Sequence, residues 1–276
     1  MSLRTELAPD RGAPSASRFL ALVSVLSLPF YLLGALGPDW TKVLPVPLPI
    51  GVLAIFVPFS AALWLAHREG GFPAVRKLLR RIFDTGRIRP RIWLLPAFLL
   101  MPCAMVAAYA VQALLGHRPP AGLISLPALA ASFAAFFIGA IFEETGWTAY
   151  ATEALQRRHS ALAAALILGL FWQAWHIIPL AQAHRPAAWI FWHCLGGVAM
   201  RVPMVWLYNN AGKSLFSAIA FHASSNAGYF ALQDKGASYD PLTLALVLWV
   251  LAGLTVWKCG AQTLSGASKA PVPSKP

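Results

Sequence analysis

The chain has 276 residues, of which 58% are hydrophobic and only 12% charged, with a mean hydropathy of +0.61. Ordinary soluble domains are about 25% charged, so this composition excludes a soluble globular architecture and describes a polytopic membrane protein. A net charge of +12 would suit a nucleic-acid partner, but the placement of the charges argues against one.

In chain order, residues 1–17 carry Arg4, Glu6, Asp10 and Arg11 and read as a disordered cytoplasmic leader with no evident cleavable signal peptide. Arg18 then marks the membrane edge. Eight apolar runs follow, at 18–37, 46–66, 92–115, 123–142, 161–180, 187–208, 214–232 and 241–258, each close to the ~20 residues that cross a bilayer. The expected fold class is therefore all-α, with about eight transmembrane helices over residues 18–258. The connection 37–49 holds Gly37, Pro38, Pro45, Pro47 and Pro49 and reads as a short external loop. In 71–91, Phe72, Val75, Leu79, Ile82 and Phe83 recur at helical spacing, opposite Arg76, Lys77, Arg80 and Arg81. That pattern predicts an amphipathic helix lying on an anionic leaflet. Residues 259–276, rich in Ser, Ala, Pro and Lys, read as a disordered tail. Trp40, Trp93, Trp189 and Trp257 near span ends fit an interfacial aromatic belt.

With the N-terminus in the cytoplasm, 17 Lys and Arg residues fall on the cytoplasmic side, and only Lys42, Arg118, Arg185 and Lys235 on the other. This positive-inside bias places both termini in the cytoplasm of a multi-pass cell-membrane protein. The charge thus sets orientation, and no nucleic acid is implied. Cys103, Cys194 and Cys259 are far apart and form no CxxC, so neither a disulfide framework nor a cysteine metal site is indicated.

Against this apolar background, Glu143, Glu144, His176, His222 and Asn226 lie inside or at the edges of spans. Each ionisable group at membrane depth costs roughly 2.5 kcal/mol or more, and carboxylates with imidazoles are what acid–base hydrolysis requires. The span map alone would put Glu143 at the cytoplasmic end of the fourth helix and His176 near the external end of the fifth. Residues 143–158, however, contain no proline and one glycine and favour helix. If the fourth helix continues through them, the turn falls at Arg158, His159 and Ser160. Glu143 precedes Ser160 by 17 positions and His176 follows His159 by 17, so both lie about 25 Å from the turn, at equal depth.

Adjacent residues on a helix point about 100° apart, so only one of Glu143 and Glu144 can face a given partner. His176 shares a face with Trp172 and with Pro179, where the helix is expected to end or kink. His222 and Asn226, four residues apart, are neighbours on one face of the seventh span. They offer two donors for the oxyanion of a tetrahedral intermediate. Each of these groups also has a structural reading: span-end carboxylates, a core histidine, an interhelical polar contact.

Weaker candidates are His193 and Arg201 on the sixth span. The sequence favours Arg201 snorkelling to the cytoplasmic end. His117, Arg118, His184 and Arg185 read as solvated loops, and His67 as part of the basic cytoplasmic segment. There is no HExxH, GxSxG or glycine-rich phosphate loop.

The string Glu143-Glu144-Thr145-Gly146-Trp147-Thr148-Ala149-Tyr150 resembles the first motif of the CPBP intramembrane proteases, the CAAX prenyl protease and bacteriocin-processing family. Trp172-Gln173-Ala174-Trp175-His176 resembles its second motif, an aromatic four positions before a histidine, and His222-Ala223-Ser224-Ser225-Asn226 a later one. The likeness covers about 125–230, in the family's order. It implies a peptidase of membrane-associated or lipidated protein substrates, with its active site inside the helix bundle. In it Glu143 would activate water, His176 would orient the water, His222 and Asn226 would stabilise the oxyanion, and Glu144 would support the site. A cofactor is left open: Glu143, His176 and His222 would be ligands if zinc is used, and the same groups need no metal if the protein is a glutamate protease.

Two positions depart from the family pattern. Trp172 replaces a usual phenylalanine, and Thr148 stands where the family has arginine. Either the site titrates higher for want of a cation beside the glutamates, or Arg201 or another cation takes that place, or catalysis is lost. The last case describes a non-catalytic factor of the same fold, such as an immunity or partner protein. A proton-coupled transporter is a further alternative, separable by whether the polar groups share one pocket or line a path to both sides.

Overall fold

The computed structural model describes residues 14–38, 49–117, 125–231 and 240–265. Most of the expected leader, the centre of the Pro-rich connection, Arg118 and the tail beyond residue 265 lie outside the described residues. The described chain is helical: α1 (Ala16–Leu36), α2 (Phe56–Leu79, entered through a 3₁₀ turn at Ile50–Ile55), α3 (Leu94–Leu114), α4 (Leu126–Gly146), α5 (Ala161–Gln182), α6 (Ala187–Asn210), α7 (Leu215–Ala231) and α8 (Pro241–Cys259). All but α7 belong to helical stretches long and apolar enough to cross a membrane, and α7 has 17 residues. The eight expected spans are therefore eight helices, and the chain is a multi-pass membrane protein.

Helix starts follow local capping. Ser15, Ser125 and Ser160 accept from Arg18, Ala128 and Ala163 backbone N–H groups, and Asp240 caps α8 just ahead of Pro241. α7 has a remote cap. Asp84, sixty-odd positions upstream of α4's end, accepts from Leu215 N, Phe216 N and the Ser214 hydroxyl at 3.3, 3.2 and 2.6 Å, placing a carboxylate on the helix N-terminus.

The fourth helix does run on. After Gly146 it widens into a π-helical segment, Trp147–Thr152, and a last turn, Glu153–Gln156. The chain reverses at 157–160, where α5 begins. Gly146 is where α4 crosses α2: a Cβ there would lie 2.5 Å from the Pro58 carbonyl oxygen and 2.8 Å from the Phe19 ring. Any larger residue would push the carboxylate-bearing turn away from its partners.

Three expectations are corrected. Pro179 does not end α5, which continues to Gln182. The missing N–H of Pro179 leaves the Trp175 carbonyl, four residues back, without its helical donor, and the Tyr31 hydroxyl of α1 donates to it at 2.7 Å. Tyr31→Phe is expected to cost about 1 kcal/mol in thermal unfolding, and less than half of that in a Pro179→Ala background, where the backbone donor returns.

The 71–91 segment is not one amphipathic helix. Gly71 (φ 64°) kinks α2, the helix stops at Leu79, and 3₁₀ turns at Thr85–Arg87 and Arg91–Trp93 follow. Its apolar residues divide, with Leu78 and Ile82 buried and Phe72 and Phe83 exposed. Arg81 turns inward to Glu153 (2.9 Å), the Tyr208 hydroxyl (2.5 Å) and the Lys213 carbonyl (3.1 Å). Sequence spacing could not show this, because the helix stops at Leu79 and the residues beyond it leave the helical register. Finally, residues 260–265 are packed rather than loose. Leu264 is buried, and Gln262, Thr263 and Leu264 carbonyls accept from Ala161, Asn209 and Asn210.

α4 packs on α2 and α7, α6 on α5, α7 and α8, and α3 on α7. α7 is enclosed on several sides. This arrangement brings α4, α5, α6 and α7 together, and these four helices carry every candidate group.

Candidate active site

Glu143 and Glu144 are both buried, and they face different neighbours as their 100° offset requires. Glu143 looks towards α5, where Trp172 Nε1 donates to its Oε2 at 2.8 Å. Its Oε1 takes no hydrogen bond from the described residues. Glu144 looks towards α6 and α7. Arg201 grips it with both terminal nitrogens (2.9 Å to Oε2, 3.1 Å to Oε1). His222 Nδ1 lies 2.8 Å from Oε1, and the Thr148 hydroxyl donates to Oε2. With four donors, the lone pairs of Glu144 are largely committed, whereas Glu143 keeps one oxygen for a reacting proton.

The two histidines are oriented alike. His176 Nδ1 lies 2.7 Å from the Trp172 carbonyl. A carbonyl can only accept, so Nδ1 carries the proton and Nε2 is left for the site. His222 gives its Nδ1 proton to Glu144 by the same logic, and its Nε2 is likewise left. The Trp172 ring meets His176 and His222 edge to face, at 4.8 and 5.5 Å.

The two histidines and Trp172 open onto one cavity of about 340 Å³, which Glu143 does not line but adjoins through its bond to Trp172. Trp172, Gln173, His176, His193, His222 and Asn226 line it, and its rim is built from Pro49, Ala183, Arg185 and Trp189 at the ends of α2, α5 and α6. Glu144, Trp147, Arg201 and Tyr208 are fully buried and do not line it.

Among the described residues, no group of three His, Cys, Asp or Glu side chains is disposed to hold a metal ion. Of the weaker candidates, His193 stacks on Trp189 inside the cavity (4.8 Å between rings). Arg185, expected as a solvated loop residue, lies over the same tryptophan at the rim (4.9 Å). His67 packs against Phe72, away from the site.

The largest departure from expectation is Arg201. It does not snorkel but is fully buried against Glu144. The signal was available: Arg201 lies ten residues from Ala211 at the end of α6, roughly 15 Å, which is beyond the reach of its side chain. Gln173 was also missed. It is buried in the cavity wall with its Oε1 unpaired, and its amide occupies the notch left by Gly197.

Residues 125–228 match the family described as type II CAAX prenyl endopeptidase Rce1-like. A stretch of 94 residues is 35% identical to CAAX prenyl protease 2 of Methanococcus maripaludis, covering 31% of this chain and 34% of that protein. The chain thus spans about a third of the length of the curated relative it matches. The matched segment contains Glu143, Glu144, His176, Arg201, His222 and Asn226.

Proposed function

We propose, on the premise that residues 125–228 form a core of the CPBP family, that this chain is an intramembrane endopeptidase of membrane-associated or lipidated protein substrates. The observation that carries the reading is the unequal bonding of the two carboxylates: Glu144 is saturated by Arg201, His222 and Thr148, while Glu143 holds a free oxygen beside His176. Glu143 takes a proton from a water oriented by His176 Nε2. The resulting hydroxide attacks the scissile carbonyl carbon. The oxyanion is received by Asn226 and by His222, which donates from Nε2 when doubly protonated because its Nδ1 proton is committed to Glu144. Glu143 returns its proton to the leaving amine as the C–N bond breaks, which closes the proton balance of hydrolysis.

Thr148 does not argue against catalysis on this reading, since Arg201 supplies a cation to the same carboxylate from α6. The test is cleavage of a peptide and membrane-protein library by the purified protein in detergent, beside Glu143→Ala and a chelator-treated sample. Activity lost in Glu143→Ala supports the peptidase, and the chelated sample reads whether a metal takes part. Wild-type protein that cleaves nothing while remaining folded turns the reading towards a non-catalytic relative.

The charge pattern further assigns both termini to the cytoplasm, which puts the cavity rim at Ala183 and Arg185 on the opposite face. In a background lacking the native cysteines, Arg185→Cys is then expected to react with a membrane-impermeant maleimide on intact cells, and Lys213→Cys only after lysis. The reverse pattern would invert the orientation.

A further inference from the structure

We propose that Arg201 is a positioning residue for the hydrolytic site. It clamps Glu144, which fixes His222 with Nε2 left for the cavity, and it braces Trp172, which holds Glu143. The catalytic part of this inference rests on the peptidase reading above.

The geometry ties both glutamates to one guanidinium. Arg201 bonds both oxygens of Glu144 at 2.9 and 3.1 Å, and Oε1 of that carboxylate is also the partner of His222 Nδ1 at 2.8 Å. Without the clamp, Glu144 could rotate to its Thr148 contact alone, and His222 would lose the acceptor that sets its tautomer and ring orientation. On its other side, the Arg201 guanidinium carbon lies 4.3 Å from the Trp172 ring centre. The same indole donates to Glu143 Oε2 at 2.8 Å. A planar, permanently charged fork suits this double duty: it pairs bidentately with a carboxylate in its plane and stacks on an aromatic across its face.

Stability alone does not account for the arrangement. Arg201 Nε is buried and has no hydrogen-bond partner among the described residues. Buried ion pairs of this kind are often replaceable by apolar side chains of similar volume without loss of stability. A fully enclosed pair with an unpaired donor, set against the cavity-lining Trp172 and His222, fits a group retained for orientation.

Thr148 supplies the control. It lies one turn beyond Glu144 on the same helix and bonds the Oε2 that Arg201 also holds. A cation placed at 148 would therefore face the same carboxylate, into the space that a shortened residue 201 vacates.

The experiment uses the full chain in detergent and four proteins: wild type, Arg201→Lys, the apolar pair Glu144→Met/Arg201→Leu, and the relocated cation Thr148→Arg/Arg201→Leu. Two readouts are taken. One is kcat and KM for a cleaved peptide. The other is the rate of acylation of His222 by diethyl pyrocarbonate, mapped by mass spectrometry, which needs no substrate. The apolar pair should fold like wild type yet lose about 100-fold or more in kcat with little change in KM, and its His222 acylation rate should shift several-fold. Arg201→Lys should be intermediate, because a point charge cannot grip both oxygens. The relocated cation should recover at least tenfold of the lost kcat. An apolar pair that cleaves like wild type with unchanged His222 acylation overturns the proposal. If wild type cleaves nothing, the peptidase reading fails, and His222 acylation alone decides: dependence on Arg201 supports the clamp, and independence overturns it.

Discussion

Exchanging Glu143 for glutamine is expected to leave a folded protein whose peptide cleavage is slower by about 10³-fold, within the range that positioned general bases contribute. Glutamine is isosteric, and its carbonyl oxygen can still accept the Trp172 N–H that Glu143 accepts at 2.8 Å. The packing of α4 against α5 is thus kept, and only the capacity to take a proton is lost. Alanine would remove both at once. The measurement is kcat for a cleaved peptide, with thermal unfolding in the same detergent as the control for folding. Rates equal to wild type would remove Glu143 from the role of base. Trp172→Phe gives a useful comparison. It keeps a ring beneath Arg201 and removes the indole donor, so Glu143 keeps its chemistry but loses the bond that aims it. A smaller loss than in Glu143→Gln, about tenfold, is the expected order.

How far the sequence carried these residues depended on whether their surroundings were local. The eight spans were legible because each apolar run is uninterrupted, and six of the observed helices match them within a few residues, while the second lies further on, at Phe56–Leu79, and the fourth runs on to Gln156. The continuation of α4 through residue 156 was also legible, since nothing in 143–158 stops a helix and Ser160 is a ready cap for the next. From that one inference the shared depth of Glu143 and His176 followed. What the sequence could not show were interactions decided by a neighbour far along the chain. Pro179 stays helical because Tyr31, 148 positions earlier, serves the Trp175 carbonyl. Arg81 turned inward because Glu153 and Tyr208 wait for it. Arg201 was read as a snorkelling cation because its partner, Glu144, lies on another helix 57 positions away. Depth from the helix end would have argued for burial, but only the folded position of Arg201 beside Glu144 names the partner. The division of labour between the two glutamates belongs to the same class, as it depends on which face of α4 meets α5 and which meets α6 and α7.

Glu144→Ala is expected to be the most destabilising single change in the site, costing about 3–5 kcal/mol, because it leaves a guanidinium enclosed with no counter-charge. Arg201 is fully buried, and its remaining neighbours are the Trp172 ring and the Met204 sulfur at 3.1 Å, neither of which can replace a carboxylate. His222 Nδ1 and the Thr148 hydroxyl would lose their shared acceptor in the same step. Thermal unfolding of the purified protein should show a large downward shift for Glu144→Ala and a smaller one for Glu144→Gln, which retains an acceptor. Removing both charges, in Glu144→Met/Arg201→Leu, should recover the part of the loss due to the unpaired guanidinium and leave the cost of the orphaned His222 and Thr148 donors, about 1–3 kcal/mol. If Glu144→Ala unfolds like wild type, the pair is not the enclosed unit that its distances describe. If the apolar pair is as unstable as the single variant, the four polar groups are required for folding itself. Recovery of stability in the pair without recovery of cleavage would separate the two roles: the charges would then be dispensable for holding α4, α6 and α7 together and needed for aiming what those helices carry.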